Sequence, residues 1–341
     1  MMGDRRLVGA CAAGLLWAVA TSALASEGAS VRDALIGMEE ALASHHFQGT
    51  FVQIQGDEVE TLKVTHRGGD GSSRERLLSL SGSLRELTRE GESVRCVHPR
   101  DASGEVDLRQ SATRFHAHLG QRLRDMDDSH YEFVSLGSDR IAGRESRVVG
   151  IRPRDDYRYG FLFWLDTETG IPLRSDMLEP DGGVIQKVLF TEIHFLEELP
   201  EDAFKPTLDG DSEGYAVRHA TFSGRGEEHK QTALPEWVPA GLPEGFQAVS
   251  VREQALRRGG RLHHVVISDG LAQVSVFVEP QREHRRAFEG ESRMGTVNAS
   301  GRVVDGHQLT VVGEAPSATI LAISEAFEAL PAVIQTEVEQ D

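Results

Sequence analysis

The chain has 341 residues, with 36 Lys and Arg against 54 Asp and Glu and a formal net charge of −18. A balance so acidic excludes general nucleic-acid binding, which needs a basic footprint. Its two cysteines are Cys11 and Cys96. Because Cys11 lies in a leader, the mature chain keeps one thiol and no internal disulfide, and its stability must come from burial.

That leader is "MMGDRRLVGACAAGLLWAVATSALAS". Arg5 and Arg6 precede an apolar stretch over 7–20, and Ala23-Leu24-Ala25 follows. This is the pattern of a secretory signal peptide, residues 1–25, cut before Ser26. The apolar stretch is too short for a good membrane span. Cys11 precedes most of that stretch instead of following it, which argues against a lipidation site. Losing Asp4, Arg5 and Arg6 takes the charge from −18 to −19. The rest suffices for two domains of roughly 100–200 residues each, and export points to a bacterial periplasm.

In chain order, Ser30 opens a helix whose apolar residues Val31, Ala34, Leu35, Met38, Ala41 and Leu42 fall at helical spacing, with Ser30 and Asp33 as a capping pair. Strands follow in "FQGTFVQI", around Leu62 to His66, and in "RERLLSLSG", "SLRELTREG" and "SVRCVHP". The 100–130 stretch breaks the rhythm, and "SATRFHAHLGQRLRDM" suggests a helix carrying Phe115, Leu119, Leu123 and Met126. The meander resumes in "YEFVSLG", "RESRVVGIRP", "YGFLFWLD", "IPLRSDML" and "VIQKVLFTEIHF", with turns at "DTETG" and "EPDG". About ten antiparallel strands result, and a sheet that long tends to curl. A half-barrel covered by the first helix is expected. In "YGFLFWLD" a period of two sends Tyr159, Phe161, Phe163 and Leu165 to one face and Leu162 with Trp164 to the other, so both faces need cover.

Residues 207–220 lose periodicity and read as a linker between a large domain at 26–206 and a small one at 221–331. The small domain has a hairpin turning at Asp269-Gly270, strands around Thr296 to Val304 and His307 to Val312, and a helix starting at Pro316-Ser317. An acidic tail, 332–341, follows. The fold class is α+β: a large curled antiparallel half-barrel covered by helices, plus a smaller antiparallel sheet-and-helix domain.

No catalytic constellation emerges. The 14 histidines include adjacent pairs that point apart on strands, and neither H-E-x-x-H nor a paired-cysteine site occurs, so no metal and no cofactor is expected. There is no G-x-S-x-G elbow, and Cys96 has no motif partner. Arginines 140, 144, 147, 152, 154 and 158 stand against Glu145, Asp155 and Asp156. They form either a solvated strand surface or a patch for an anionic partner, with Arg147, Arg152, Arg154 and Arg158 as the candidates.

"YEFVSLGSDRIAGRESRVVGI…YRYGFLFWLDTETGIPLRSDML" resembles the large domain of the RseB/MucB family, periplasmic regulators of the envelope-stress sigma factor. The segment from Trp237 to Phe246, "ISDGLAQVSVFVE" and "LTVVGEAPSATILAISEAF" extend the resemblance through the small domain. It implies a LolA/LolB-like large domain with an apolar cavity. It also implies binding, without catalysis, to the periplasmic part of a membrane-spanning anti-sigma factor, which shields that factor from site-1 proteolysis. Lipid or lipopolysaccharide acyl chains would trigger release. Met38, Leu42, Tyr159, Phe161, Phe163, Trp164 and Met177 are then candidates for the lipid cavity, or plain core. Trp237, Leu242 and Phe246 are candidates for the anti-sigma-binding face. The runner-up is a periplasmic lipid or lipoprotein carrier, which shares the large domain but has no need of the small one. A homodimer is one option for assembly.

Overall fold

A computed structural model describes residues 30–69, 73–91, 93–100, 119, 122–124, 129–207, 214–221, 239, 241–256, 259–281 and 286–327. The leader and the acidic tail lie outside these. So does most of the helix expected within 100–130, of which residues 119 and 122–124 are helical, with Leu119 and Leu123 buried.

Helix α1 spans 30–44. Val31, Leu35 and Met38 lose all exposure and Ala41 and Leu42 nearly all, the stripe that spacing of three and four residues produces. The stripe lies on an eleven-stranded antiparallel sheet made of β1 (His46–Gln55), β2 (Glu58–Arg67), β3 (Arg74–Ser79), β4 (Glu86–Glu90), β5 (Ser93–Pro99), β6 (Tyr131–Ile141), β7 (Arg144–Pro153), β8 (Gly160–Asp166), β9 (Pro172–Leu178), β10 (Val184–Leu196) and β11 (Tyr215–Thr221). The spatial order is β11-β5-β4-β3-β2-β1-β10-β9-β8-β7-β6. The sheet is open, since its edges β11 and β6 do not pair, yet it curls. Although β9, β8 and β7 lie between them, β10 and β6 approach within 8 Å at their Cα atoms. The Arg144 guanidinium at the start of β7 sits 4.9 Å from the Phe195 ring of β10.

Close packing at the bend depends on Gly49. A Cβ there would lie 2.6 Å from the Glu192 carbonyl oxygen and 2.8 Å from the Phe190 ring. Its absence lets Phe190 settle between Phe47 and Phe51, at 6.1 and 5.7 Å between ring centres.

Eleven strands stand where about ten were expected. The extra one, β11, overlaps the stretch read as a linker and pairs with β5, from Tyr215 opposite Pro99 to Thr221 opposite Ser93. Its "YAVRHAT" alternates weakly and follows a run rich in Gly, Asp and Ser, so only the distant partner strand reveals it.

The small domain is a six-stranded antiparallel sheet of β12 (Gln247–Ala255), β13 (Arg261–Ser268), β14 (Gln273–Pro280), β15 (Gly290–Met294), β16 (Val297–Val304) and β17 (His307–Gly313), in the order β12-β13-β14-β17-β16-β15. Helix α2 (Ser317–Ala326) packs on β16 and β17. Val265, Ile267, Val274, Val276, Val278, Leu309, Val311 and Ile323 are fully buried in its core.

The turn after β8 shows how the sheet's loops are fixed. Asp166 accepts hydrogen bonds from Arg144 Nε and Nη2 at 2.8 and 2.9 Å and from the Thr169 hydroxyl at 2.7 Å and amide at 3.0 Å. Burial pushes its carboxyl up, but the bonds from Arg144 and Thr169 and the Arg144 charge outweigh burial and hold it below the usual carboxylate range. A depressed folded value contributes stability above the unfolded pKa of about 3.9, and that contribution is lost as pH falls through the folded value. Stability measured by urea titration from about pH 5 down to about pH 3 should therefore fall less steeply in Asp166→Asn than in the unaltered chain. Equal slopes would mean that the carboxylate gains nothing from Arg144.

Candidate functional site

Two features stand out. The first is an apolar pocket between the C-terminal end of α1 and the curl of the sheet, lined by Leu42, Phe47, Phe51, Leu173, Val188 and Phe190 among others. It holds about 20 Å³, room for a single water molecule. His66 fastens this end of the helix. It is buried, hydrogen-bonds the Leu42 carbonyl at 2.8 Å and stacks on Phe47 at 4.7 Å. Glu75, wholly buried, lies 3.6 Å from its other ring nitrogen.

The second is the junction between the domains. The loop joining β7 to β8, "RDDYRY" at 154–159, projects from the large sheet against the small domain. Arg158 is fully buried. Its Nε donates to Asp269 Oδ2 at 2.6 Å, its Nη2 donates to the Glu244 carbonyl at 2.6 Å, and its Nη1 pairs with Asp155. Its guanidinium lies 4.7 Å from the Phe246 ring centre and 5.7 Å from that of Tyr131. Tyr131 donates its hydroxyl to the same Asp269 oxygen at 2.7 Å. The other Asp269 oxygen accepts the amides of Leu271 and Ala272 at 2.9 and 2.7 Å. Burial first, and then the neighbouring Asp269 charge, push the Tyr131 phenol far up, which keeps it a donor.

Around this centre, Tyr159 donates to the Thr296 carbonyl at 3.1 Å and accepts from Asn298 Nδ2 at 2.9 Å. Thr319 on α2 donates to the Tyr157 carbonyl at 2.6 Å, and Arg293 pairs with Glu179 at 2.6 Å on the rim. Gly245 is required at its position. Its φ is +82°, and a Cβ would stand 2.6 Å from Arg158 Nη2 and 2.5 Å from His130.

The residues singled out from sequence distribute unevenly. Of the cavity candidates, Leu42 lines the pocket. Met38, Phe161, Phe163 and Met177 are buried in the continuous core beneath α1. Two depart from the expectation of cavity lining. Tyr159 spends its hydroxyl on the small domain, and Trp164 lies under the Arg174 guanidinium at 3.9 Å with its Nε1 donating to Asp139 at 2.9 Å. Polar side chains therefore supply the second cover that the hairpin needed.

The arginine patch needs correction at Arg158, which is buried in ion pairs and cannot meet an anionic partner at the surface. Arg152 and Arg154 are exposed. Arg147 is half-buried near Ser30. Among the anti-sigma candidates, Phe246 is a correction too, because it is buried beneath Arg158. Leu242 is half-buried, and Trp237 lies outside the described residues. The pocket-lining Phe47, Phe51, Leu173 and Phe190 were missed, although Phe47 and Phe51 lie four apart on one strand face and give a readable signal. Asp269 and Leu271 were missed as well, since "SDGLA" reads only as a turn. Among the described residues no three His, Cys, Asp or Glu side chains converge to hold a metal.

Comparison with known proteins places this architecture. The sequence model of the MucB/RseB N-terminal domain matches residues 30–208, and that of the MucB/RseB C-terminal domain matches 231–328. The sigma factor AlgU regulatory protein MucB of Pseudomonas aeruginosa is 32% identical over 86% of this chain and 90% of its own length. The sigma-E factor regulatory protein RseB of Escherichia coli K12 is 28% identical over 91% of this chain and 93% of its own. Among solved structures, the complex of Pseudomonas aeruginosa MucA and MucB superposes with a TM-score of 0.64 at 26% identity, covering 86% of this chain and 97% of that one. With both domains matched in order and 86% of the chain covered by a relative 32% identical, the chain belongs to the MucB/RseB family.

Proposed function

We propose that the protein is a periplasmic regulator that works by binding. It holds the periplasmic segment of a membrane-spanning anti-sigma factor, shields that segment from the first proteolytic cut and so restrains an envelope-stress sigma factor. The observation that carries this reading is the match of both domains, in one chain, to a relative solved in complex with MucA. A lipid carrier would leave the small domain and its buried ionic junction without a use. Release follows when a lipid or lipopolysaccharide acyl chain enters the half-barrel, a shift limited by the chain's differential affinity for the two states.

The partner face straddles the domain boundary. Exposed Arg152 and Arg154 stand just before and at the start of the loop that docks on the small domain, and half-buried Leu242 lies near it on the other side. On a chain of net charge −18, these arginines offer an acidic partner segment exposed positive charge, although Arg152 is shared with Glu132 at 3.5 Å. Calorimetric titration of residues 26–341 with the anti-sigma periplasmic segment should show tight binding that lipopolysaccharide weakens. Absence of binding, together with co-purifying acyl lipid, would replace the regulator with a carrier. Reversing both charges, Arg152→Glu with Arg154→Glu, should weaken binding on the order of tenfold and flatten its salt dependence. An unchanged affinity would place the partner elsewhere.

A further inference from the structure

The pocket under α1 holds about 20 Å³, whereas sites for drug-sized ligands run to about 300–1,000 Å³. An aliphatic chain therefore enters the half-barrel only if something now inside it leaves. Most of the apolar cluster belongs to strands of the large sheet, which cannot leave without unmaking it. Moving α1 would expose five buried apolar side chains together, Val31, Leu35, Met38, Ala41 and Leu42.

Leu271 is different. It is 4% exposed and is part of the large domain's apolar cluster, yet it is carried by the turn between β13 and β14 of the small domain. The large domain grips that turn on both sides. Arg122 donates to the Leu271 carbonyl at 3.1 Å, and Arg158 and Tyr131 hold Asp269. Arg122 adjoins Leu123, whose carbonyl accepts Arg32 Nε at 3.0 Å near the start of α1. The pocket at Leu42 lies by the other end of the same helix, and one continuous apolar cluster joins the two.

We propose that Leu271 is a built-in plug. It fills a subsite for an aliphatic chain at the N-terminal end of α1, so that acyl-chain binding and docking of the small domain exclude one another. The proposal rests on the reading above that a lipid chain enters the large domain, and it names the moving part. When the plug withdraws, Arg158, Asp269 and Tyr131 are hydrated, which offsets the loss of their buried contacts. The incoming chain replaces the apolar contacts that Leu271 made. Lipid entry is thereby coupled to the domain arrangement that presents the partner face.

The test uses lauroyl lysophosphatidylcholine below its micelle concentration, titrated calorimetrically into residues 26–341 and into Leu271→Ala, with small-angle scattering in parallel. Leu271→Ala should bind roughly tenfold more tightly, because the competing plug is gone. Leu271→Met, which keeps the volume, should bind like the unaltered chain. The ligand should also increase the radius of gyration of the unaltered protein. If the alanine variant fails to fold, Leu271→Val should shift affinity in the same direction. Equal affinities for the unaltered chain and the truncated variant would overturn the plug and leave lipid entry standing. No binding to either folded protein would overturn lipid entry, and the plug with it.

Discussion

Arg158→Ala is expected to undock the two domains, at a cost of about 3–5 kcal/mol to the docked state. The side chain is among the largest fully buried ones of the described residues, and it spans the boundary, with Asp155 on its own loop and Asp269 and the Glu244 carbonyl on the other domain. Truncation would leave the Asp269 carboxylate buried, hydrogen-bonded by Tyr131 and two backbone amides, with no cation paired to it directly and only the charge of Arg122 nearby. A buried ion pair contributes little over an apolar substitute, but breaking one strands its partner. This protein has an escape that a single domain lacks, since separating the domains returns Asp269 to water. The cost is thus capped by the docking free energy. Hydrogen exchange should report it as lost protection in the 154–159 loop and at 269–272, with β1 and β10 still protected. Small-angle scattering should show a larger radius of gyration. Arg158→Lys should rescue only partly, because one ammonium cannot reproduce a fork that reaches three acceptors. An alanine variant that stays docked would show that apolar contacts alone hold the junction.

Phe163→Ala should cost the large domain about 3–5 kcal/mol. Phe163 has no exposure, stacks against Phe161 at 6.4 Å between ring centres and stands opposite Val149 and Ser175 on the neighbouring strands. Both flanking strands are pinned by their ladders, so the site cannot collapse around a missing ring, and the cavity left behind adds to the lost transfer energy. Urea unfolding should show an earlier midpoint for the large domain with the same slope, and a smaller shift for the small domain, whose own cluster meets the large one through Leu271 and Tyr157. A cost below about 1 kcal/mol would mean that the ring faces a deformable space, as a ligand-lining residue would.

The sequence was legible where local pattern and tertiary need agree. "SVRCVHP" and "RESRVVGIRP" are β5 and β7 to the residue, because their alternation is bounded by turns at Gly91 and Gly143, both with positive φ. The first helix and the Asp269-Gly270 hairpin were equally plain. Three strands were not read. All five residues of β15 are exposed, β12 is mostly polar at the sheet's edge, and β11 pairs with a strand more than a hundred residues earlier. Such strands exist for their ladders, which leave no periodic apolar trace.

The site was harder for the same reason. Six arginines in a short span read as one charged face, but their fates depend on distant partners: Arg144 goes to Asp166, while Arg158 goes to Asp269, 111 positions away. Leu271 looks like an ordinary turn residue until the other domain is seen to enclose it. The dense aromatic run of β8 drew attention to the core, whereas the pocket is lined by Phe47, Phe51 and Phe190, spread over two strands whose pairing no local pattern announces.

If the protein shields an anti-sigma segment and lipid lifts the shield, both effects show in one cleavage assay. The most direct measurement is the cleavage rate of the periplasmic anti-sigma segment by the site-1 protease, with residues 26–341 absent, present, and present with lipopolysaccharide. Cleavage should be slow in the presence of the protein and return to the free rate when the lipid is added. Cleavage at the free rate while the segment is demonstrably bound would contradict shielding.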